Sequence, residues 1–530
     1  MMSKFVTGLV AALGLTTFAA TEALAQKSGG TLRAYQRENP PSASINEEAT
    51  ISTSFPFMSL FNNLVMFDPA KKVEGLDTIV PDLAKSWAWD DSRTKITFKL
   101  NEGVSWHDGK PFTAKDVVCT WDLINGVTEG ARKSPRKIWY DNVEKITADN
   151  DHQATFHLKN PQASLLNLLA SGLTPIYPCH VAAKDMRTNP IGTGPFKLAE
   201  FKRNEVIKVV KNPNYWKKGL PYLDAIEFRI IPSRSTRILA FGAGEFDMTF
   251  VDDVTIPLLK DIASRAPTAV CELNPAGTYA NVMVNRNAPP FDNAMIRNAM
   301  TLSFNRKTFT DILGEGKLLV GGAMMPLPEG RWGMPPEVQS ALPGYAADVA
   351  KSQAEGRKIM EGLGYTKDKP LKIKVTTRAL DAYKDPAILL IDQLKQIHIE
   401  AELFVADSTV WYNVMQKKDY SVALNVTGVG VDDPDANFVE NYYCKSERNF
   451  TNYCNPDVDR LIGEQSKEPD QTKRRQIVWE IEKRLVEDAA RPVLFHSKNG
   501  TCWFPQVKGI TRHNNSIYNQ WRFEDVWLDK

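Results

Sequence analysis

The sequence predicts an α/β protein, and three observations carry that reading. Short stretches alternate apolar and polar residues. Longer stretches space apolar residues by three or four. One segment runs through both periods as strand, helix and strand. The alternating stretches include Lys95–Leu100, with Ile96, Phe98 and Leu100 on one face. Ala154, Phe156 and Leu158 form a second such face, and Ile226, Phe228 and Ile230 a third. Residues 293–313 read as one helix, with Ile296, Met300 and Phe304 at spacing four. Asp470 is an N-cap for a helix carrying Ile477, Ile481 and Leu485, which stops before Pro492 and precedes a short strand at residues 493–495. The Gly-, Pro- and Met-rich residues 314–343 read as a long irregular loop over a surface or cleft. No internal repeat or low-complexity linker marks a domain boundary.

The strand-helix-strand segment is residues 371–405. Leu371, Ile373 and Val375 alternate with Lys372, Lys374 and Thr376. A helix expected to begin near Pro386 carries Ala387, Ile391 and Leu394. Ile399, Ala401, Leu403 and Val405 then alternate with Glu400 and Glu402. Arg378 falls just past the carboxyl end of the first strand, where open α/β sheets bind ligands. A guanidinium there can grip a carboxylate through two parallel hydrogen bonds.

The chain has 530 residues, enough for three or four domains. Its 65 Lys and Arg against 63 Asp and Glu give a net charge of +2. That balance offers no attraction for nucleic acid or acidic lipid. Hydrophobic residues are 43% and charged residues 24%, the composition of a soluble globular chain rather than a disordered, collagenous or coiled-coil one. The 12 Trp suit a large core or an aromatic-lined cleft.

Lys4, the apolar residues 5–18 and the small-residue site Ala23-Leu24-Ala25 predict an export signal over residues 1–25. No later stretch is apolar over the roughly 18–20 residues a membrane helix needs. The first cysteine is Cys119, so a lipid anchor on an N-terminal Cys is not expected, and a free protein of the bacterial periplasm is. Six cysteines in an exported chain can pair in 15 ways. Cys444 and Cys454 flank a polar loop suited to a local bridge. The absence of CxxC spacing and of a nearby His speaks against a metal.

Motifs of catalysis are missing. There is no GxSxG, HExxH or GxGxxG, and neither Gly109-Lys110 nor Gly316-Lys317 has the upstream Gly of a phosphate loop. His107 sits in Trp106-His107-Asp108-Gly109, which reads as a turn around a packed Trp. Asp432-Asp433-Pro434-Asp435 gathers three carboxylates without the further spaced oxygens of a calcium loop. It reads as a turn, as a cleft lip facing a cation, or as the acid pair of a periplasmic hydrolase.

Five blocks, in order, resemble the family 5 solute-binding proteins of ABC importers, which bind dipeptides, oligopeptides or nickel. Pro81-Asp82-Leu83-Ala84-Lys85-Ser86-Trp87 leads through Ile96–Leu100 into Trp106-His107-Asp108-Gly109-Lys110-Pro111-Phe112-Thr113. Gly192-Thr193-Gly194-Pro195-Phe196 precedes Asn212-Pro213-Asn214-Tyr215-Trp216. Gly244-Glu245-Phe246-Asp247, then Pro289-Pro290-Phe291-Asp292 with Ile296-Arg297, and then residues 442–459 complete the set.

The resemblance implies a two-lobed periplasmic-binding-protein fold (type II, Venus flytrap) with an extra inserted domain. Domain I would comprise residues 26–58, 190–270 and 495–530, domain II residues 59–189, and domain III residues 271–494. It implies a small-molecule or short-peptide ligand, permease subunits in the inner membrane with a separate ATPase, no cofactor or metal, no nucleic acid, and a monomer. Capture and delivery, rather than catalysis, is the implied activity. By the same layout Cys119 would pair with Cys179, and Cys271 with Cys502.

Arg378 matches the position that grips the ligand carboxylate in a dipeptide-binding relative. Thr427 and Gly428 match the family's Trp-Thr-Gly-Asp region, but Val429 or Gly430 stands where its amine-binding Asp belongs. Asp432 is the nearest replacement. Trp411 completes the candidate ligand-binding residues with Arg378, Thr427, Gly428, Gly430 and Asp432. Without a replacement Asp, a carboxylate-bearing non-peptide solute becomes the alternative ligand.

Overall fold

The computed structural model describes residues 26–515, 517–519 and 521–530. The export signal expected at residues 1–25 lies outside them. Three main sheets build two lobes. In the first lobe, Thr31–Gln36 pairs in parallel with Ala225–Ile230, followed by Val206–Lys211 and Phe196–Lys202 in antiparallel order. An antiparallel sheet runs Ala84–Trp89, Lys95–Leu100, Gln153–Leu158, Val143–Asn150. One apolar core unites these sheets. The second lobe holds a five-stranded sheet ordered Ile399–Ala406, Leu371–Arg378, Val422–Gly428, Val270–Val284, Val493–Trp503.

The strand-helix-strand segment forms as its periodicity predicts. Leu371–Arg378 and Ile399–Ala406 pair in parallel across the helix Asp381–Leu394. That helix starts at Asp381, not near Pro386, because Pro386 is tolerated inside it. Only Ala379 and Leu380 separate strand from helix, so the loop behind Arg378 is short.

Three other expectations change. Residues 293–313 hold two helices, Ala294–Ser303 and Arg306–Gly314, because Phe304 is extended and the Asn305 side chain caps the second by accepting from the Thr308 amide. The strand after Pro492 is Val493–Trp503, eleven residues long rather than short. Residues 314–343 do not merely cover a surface: Ala323, Met324 and Trp332 are buried against Phe438, Tyr442 and Ile481. The Asp470 cap is as expected, accepting from the Thr472 and Lys473 amides at the head of Gln471–Glu487.

Val270–Val284 and Val493–Trp503 join the lobes. Met248 bridges Ala34 of the first lobe to Trp503, and Thr249 donates its amide to the Cys502 carbonyl. The pairing of the two long strands breaks between Pro275 and Tyr279. Within that break Gly277 has φ +63°, and an added Cβ would lie 1.6 Å from Asn515 Oδ1. Such a ladder interruption bends the strands and frees the backbone to twist. Cys271 and Cys502 face each other on the first-lobe side of the break and are bonded; Cys119–Cys179 and Cys444–Cys454 are bonded too.

The helix Gln471–Glu487 carries Glu482 into the interior. Its Oε1 accepts from the Met324 amide at 2.8 Å, while Oε2 has no partner. Burial pushes its carboxyl up to about 8. The unfolded chain releases this proton near the ordinary 4.5, whereas the fold retains it. The group's contribution to stability is therefore full below the unfolded value and falls as pH rises toward the folded one. Glu482→Gln keeps an acceptor for Met324 and removes the titration. It should exceed wild type in stability at pH 8, on the order of 3 kcal/mol, and the gain should shrink toward zero near pH 5. Thermal melts at both pH values check this, and a pH-independent difference would refute it.

Candidate functional site

The lobes meet where two strand ends face each other. Arg378 ends Leu371–Arg378, and Glu38 follows closely on Thr31–Gln36. Arg378 Nη2 donates to Glu38 Oε1 at 3.0 Å, although the residues are 340 apart in sequence. Ser408 Oγ accepts from Arg378 Nη2 at 2.6 Å and from Nε at 3.1 Å, and donates to Glu38 Oε2 at 2.6 Å. Arg378 Nη1 donates to the Tyr383 hydroxyl at 2.8 Å. The guanidinium lies 4.7 Å from the Tyr383 ring centre and 5.5 Å from that of Tyr412. Ser52 Oγ also donates to Glu38 Oε1, at 2.6 Å.

This pair is charged despite being dry. Burial works against the Arg378 charge, but the Tyr383 hydroxyl and Glu38 outweigh it and raise its pKa. Burial likewise opposes the Glu38 charge, and Arg378, Arg37 and two serine hydroxyls hold its carboxyl below the usual range. Arg378 is the last residue of its strand rather than just past it, and Ser408, Tyr383 and Glu38 take four of its five N–H donors.

The strand end Val422–Gly428 and the residues after it form the next stretch of the seam. Thr427 Oγ1 is enclosed, accepting from Asn281, Asn425 and Arg491. A Cβ on Gly428 would fall 2.1 Å from the Tyr518 hydroxyl, and one on Gly430 would meet the Trp139 ring at 2.8 Å. Both glycines let a first-lobe aromatic approach the second-lobe backbone. The Gly430 carbonyl accepts from Asn519 Nδ2 at 3.1 Å.

Two candidates lie elsewhere. Trp411 is buried among Met283, Met415, Tyr420 and Phe450. Helix Ser408–Lys417 turns Trp411 and Met415 inward on one face, so the adjacent Tyr412 reaches Arg378 instead. Asp432 Oδ2 accepts from the Arg331 amide at 3.0 Å and lines a separate cavity with Asp77, Asn167 and Arg474. Burial and the neighbouring Asp433 push its carboxyl up to about 6. It shares no hydrogen-bond partner with Arg378.

The other carboxylates of this run are engaged by the protein. Asp433 takes both Nη1 and Nη2 of Arg474, at 3.0 and 2.6 Å, and Asn167 Nδ2 at 3.1 Å. Asp435 accepts from Ser164 at 2.5 Å, from Ser466 at 2.7 Å and from Gln465. Asn167 and Ser164 belong to the first lobe, so this run pins the lobes together. Asp433 and Asp435 are thus held by protein donors, which leaves Asp432 as the carboxylate of this run that lines a cavity.

His107 sits in a turn, as its surroundings suggest: its Nδ1 accepts from the Gly192 amide at 3.2 Å, and burial lowers its pKa to about 4. Among the described residues no cluster of His, Cys, Asp and Glu is placed to hold a metal ion.

The structure also adds residues that the sequence does not single out. Arg448 Nε lies 2.8 Å from Glu440 Oε1, with side chains 18% and 9% exposed. Burial lowers the Arg448 pKa, while Glu440, Tyr412, Tyr518 and Tyr383 raise it, with a net rise. Arg136 of the first lobe donates to the Ile45 and Glu48 carbonyls, and Glu440 acts on its charge as well. The seam is thus a ring of arginines, glutamates and tyrosines drawn from both lobes. Glu38 carries one weak sequence signal, its place just past an alternating strand. Arg448 carries none, being one charge in the run Lys445, Glu447, Arg448.

The family model "Bacterial extracellular solute-binding proteins, family 5 Middle" matches residues 78–449. The chain is 26% identical over 487 residues to the probable di/tripeptide-binding protein 5 of Pseudomonas aeruginosa, covering 85% of this chain and 87% of that one. It is 27% identical to the periplasmic oligopeptide-binding protein OppA of Haemophilus influenzae, with 85% of each chain covered. The crystal structure of Haemophilus influenzae OppA with the peptide RPPGFSPFR superposes at a TM-score of 0.84 and 22% identity, covering 95% of this chain and 100% of that one. The binding protein AgaA of A. tumefaciens R10, solved with agropinic acid, superposes at 0.81 and 21% identity, covering 94% of this chain and 99% of that one. The matched blocks, the two-lobed architecture and the seam between the lobes agree: the chain belongs to family 5 of the bacterial extracellular solute-binding proteins.

Proposed function

We propose that the protein is the periplasmic capture component of an ABC importer, closing its lobes on a peptide or peptide-like solute and presenting it to a membrane permease. The ATPase would be a separate chain, and the binding protein a monomer delivered by the signal at residues 1–25. The domains would divide at the boundaries given above, with the strand break at Pro275–Tyr279 as the hinge. The carrying observation is the buried Arg378–Glu38 contact, made by residues from opposite lobes at opposed strand ends. Such a contact forms only when the lobes are shut, so closure and the ligand space are linked. The peptide-binding relatives support the ligand class.

A second reading has its own observation. The seam has Val429 and Gly430 where the family's amine-binding acid is expected, and Gly430 is filled by Trp139. A carboxylate-bearing non-peptide solute needs no such acid.

Native mass spectrometry of the purified protein, followed by identification of whatever it releases on denaturation, separates the two ligand classes. Small-angle scattering should show a smaller radius of gyration when a solute so identified is added back to saturation. An unchanged profile at proven saturation would refute capture by closure, and chemical conversion of the solute would make the protein an enzyme.

A further inference from the structure

The two seam arginines differ in how their donors are used. Arg378 directs Nε, Nη1 and Nη2 at Ser408, Tyr383 and Glu38. Arg448 makes no side-chain hydrogen bond among the described residues; its Nε is buried without a partner. Its neighbour Glu440 balances the charge as an ion-pair partner, with Nε and Oε1 2.8 Å apart. Only Nε is enclosed; Nη1 and Nη2 have no hydrogen-bond partner among the described residues and are not buried, so their N–H groups are free to take one. The 18% exposure of the Arg448 side chain leaves room for that partner. Tyr383 and Tyr412, whose ring centres lie 4.7 and 5.5 Å from the Arg378 guanidinium, act on the Arg448 charge as well.

We propose, resting on the solute-binding reading above, that Arg448 receives the carboxylate of the incoming solute, while Arg378 and Glu38 form an interlobe latch. A planar two-oxygen anion suits a guanidinium whose fork is free. The latch accounts for Ser408, which bridges Arg378 and Glu38 and takes both the Nε and an Nη2 hydrogen of Arg378. Arg448 then selects solutes with a free carboxylate, and Glu440 keeps that arginine charged and in place when the site is empty.

Two measurements test this. The first is labelling of the ligand-stripped protein with p-hydroxyphenylglyoxal, read by peptide mass spectrometry. Arg448 should react at least about tenfold faster than Arg378; equal rates, or a faster Arg378, would overturn the assignment.

The second probe is a tryptic casein hydrolysate and the same hydrolysate methyl-esterified at its carboxyl groups, each offered to the full protein and read by native mass spectrometry. Wild type should take mass from the free-acid pool and at least about tenfold less from the ester. Arg448→Met should lose that preference together with most of the occupancy, and Arg448→Lys should recover only part. The double variant Glu38→Gln/Arg378→Met removes the latch without leaving a lone buried charge. It should still prefer the acid pool, with a smaller loss of occupancy. Loss of the preference in the latch variant but not in Arg448→Met would return the anchor to Arg378. If wild type takes nothing from either pool, the peptide reading fails, and the labelling rates alone decide for or against Arg448 as the free guanidinium.

Discussion

Replacing Cys271 and Cys502 together by serine should cost the protein about 4–5 kcal/mol, the largest loss of its three bridges. The bond joins residues 231 apart, against 60 for Cys119–Cys179 and 10 for Cys444–Cys454. Closing a longer loop removes more freedom from the unfolded chain, so the shortest bridge should contribute about 2–3 kcal/mol less than the longest. Serines at these positions leave the strand ladder intact, since the pairing of Val270–Val284 with Val493–Trp503 is made by backbone groups. Guanidinium unfolding of the three double-serine variants tests the order. A ranking in which Cys444–Cys454 matters most would overturn the loop-length account. The bridge also sits on the first-lobe side of the strand break, so its loss should act on unfolding far more than on closure.

The second large effect should come from Arg474→Met. Arg474 and Asp433 are 4% and 0% exposed, so removing one partner strands a carboxylate in a dry interior. Such half-broken pairs typically cost about 3–5 kcal/mol. Asp433 also caps the helix Pro434–Asn441 by accepting from the Asp435 amide, and it takes Asn167 from across the seam. Adding Asp433→Asn to Arg474→Met should recover part of the loss, because no bare charge is then left behind. A double-mutant cycle by chemical unfolding measures this. Additive losses in the cycle would show that the two side chains act independently.

Much of the second lobe is legible in the sequence. Alternation from Leu371 to Val375 and from Ile399 to Val405 brackets a helical face, and any chain with that pattern buries it the same way. Arg378 could be placed at a strand end for that reason. What occupies Arg378 could not, because Glu38 is 340 residues away and no local pattern links them. The same limit hides Arg448, whose meaning depends on Tyr518 arriving from the far end of the chain. Trp411 shows a different failure. Aromatic character alone does not say whether a ring lines a cleft or fills a core, and here the helix phase decides for Tyr412. The Cys444–Cys454 bridge is readable from spacing, whereas the other two pairings rest on the family layout, since each joins segments that only the fold brings together.

The route of the chain through the first lobe also sets the order in which the molecule can be completed. Phe55 packs edge-on against Phe228 and Phe250, but also against Trp521 at 5.1 Å and Phe523 at 5.8 Å. Its apolar face is therefore covered by rings made early and rings made last. That face stays uncovered until the segment carrying Trp521 and Phe523 docks on it. The second lobe, contiguous between the two long strands, has its own core and can condense meanwhile. The segment carrying Trp521 and Phe523 acts as a keystone, since its docking closes a face that Phe228 and Phe250 cover only in part.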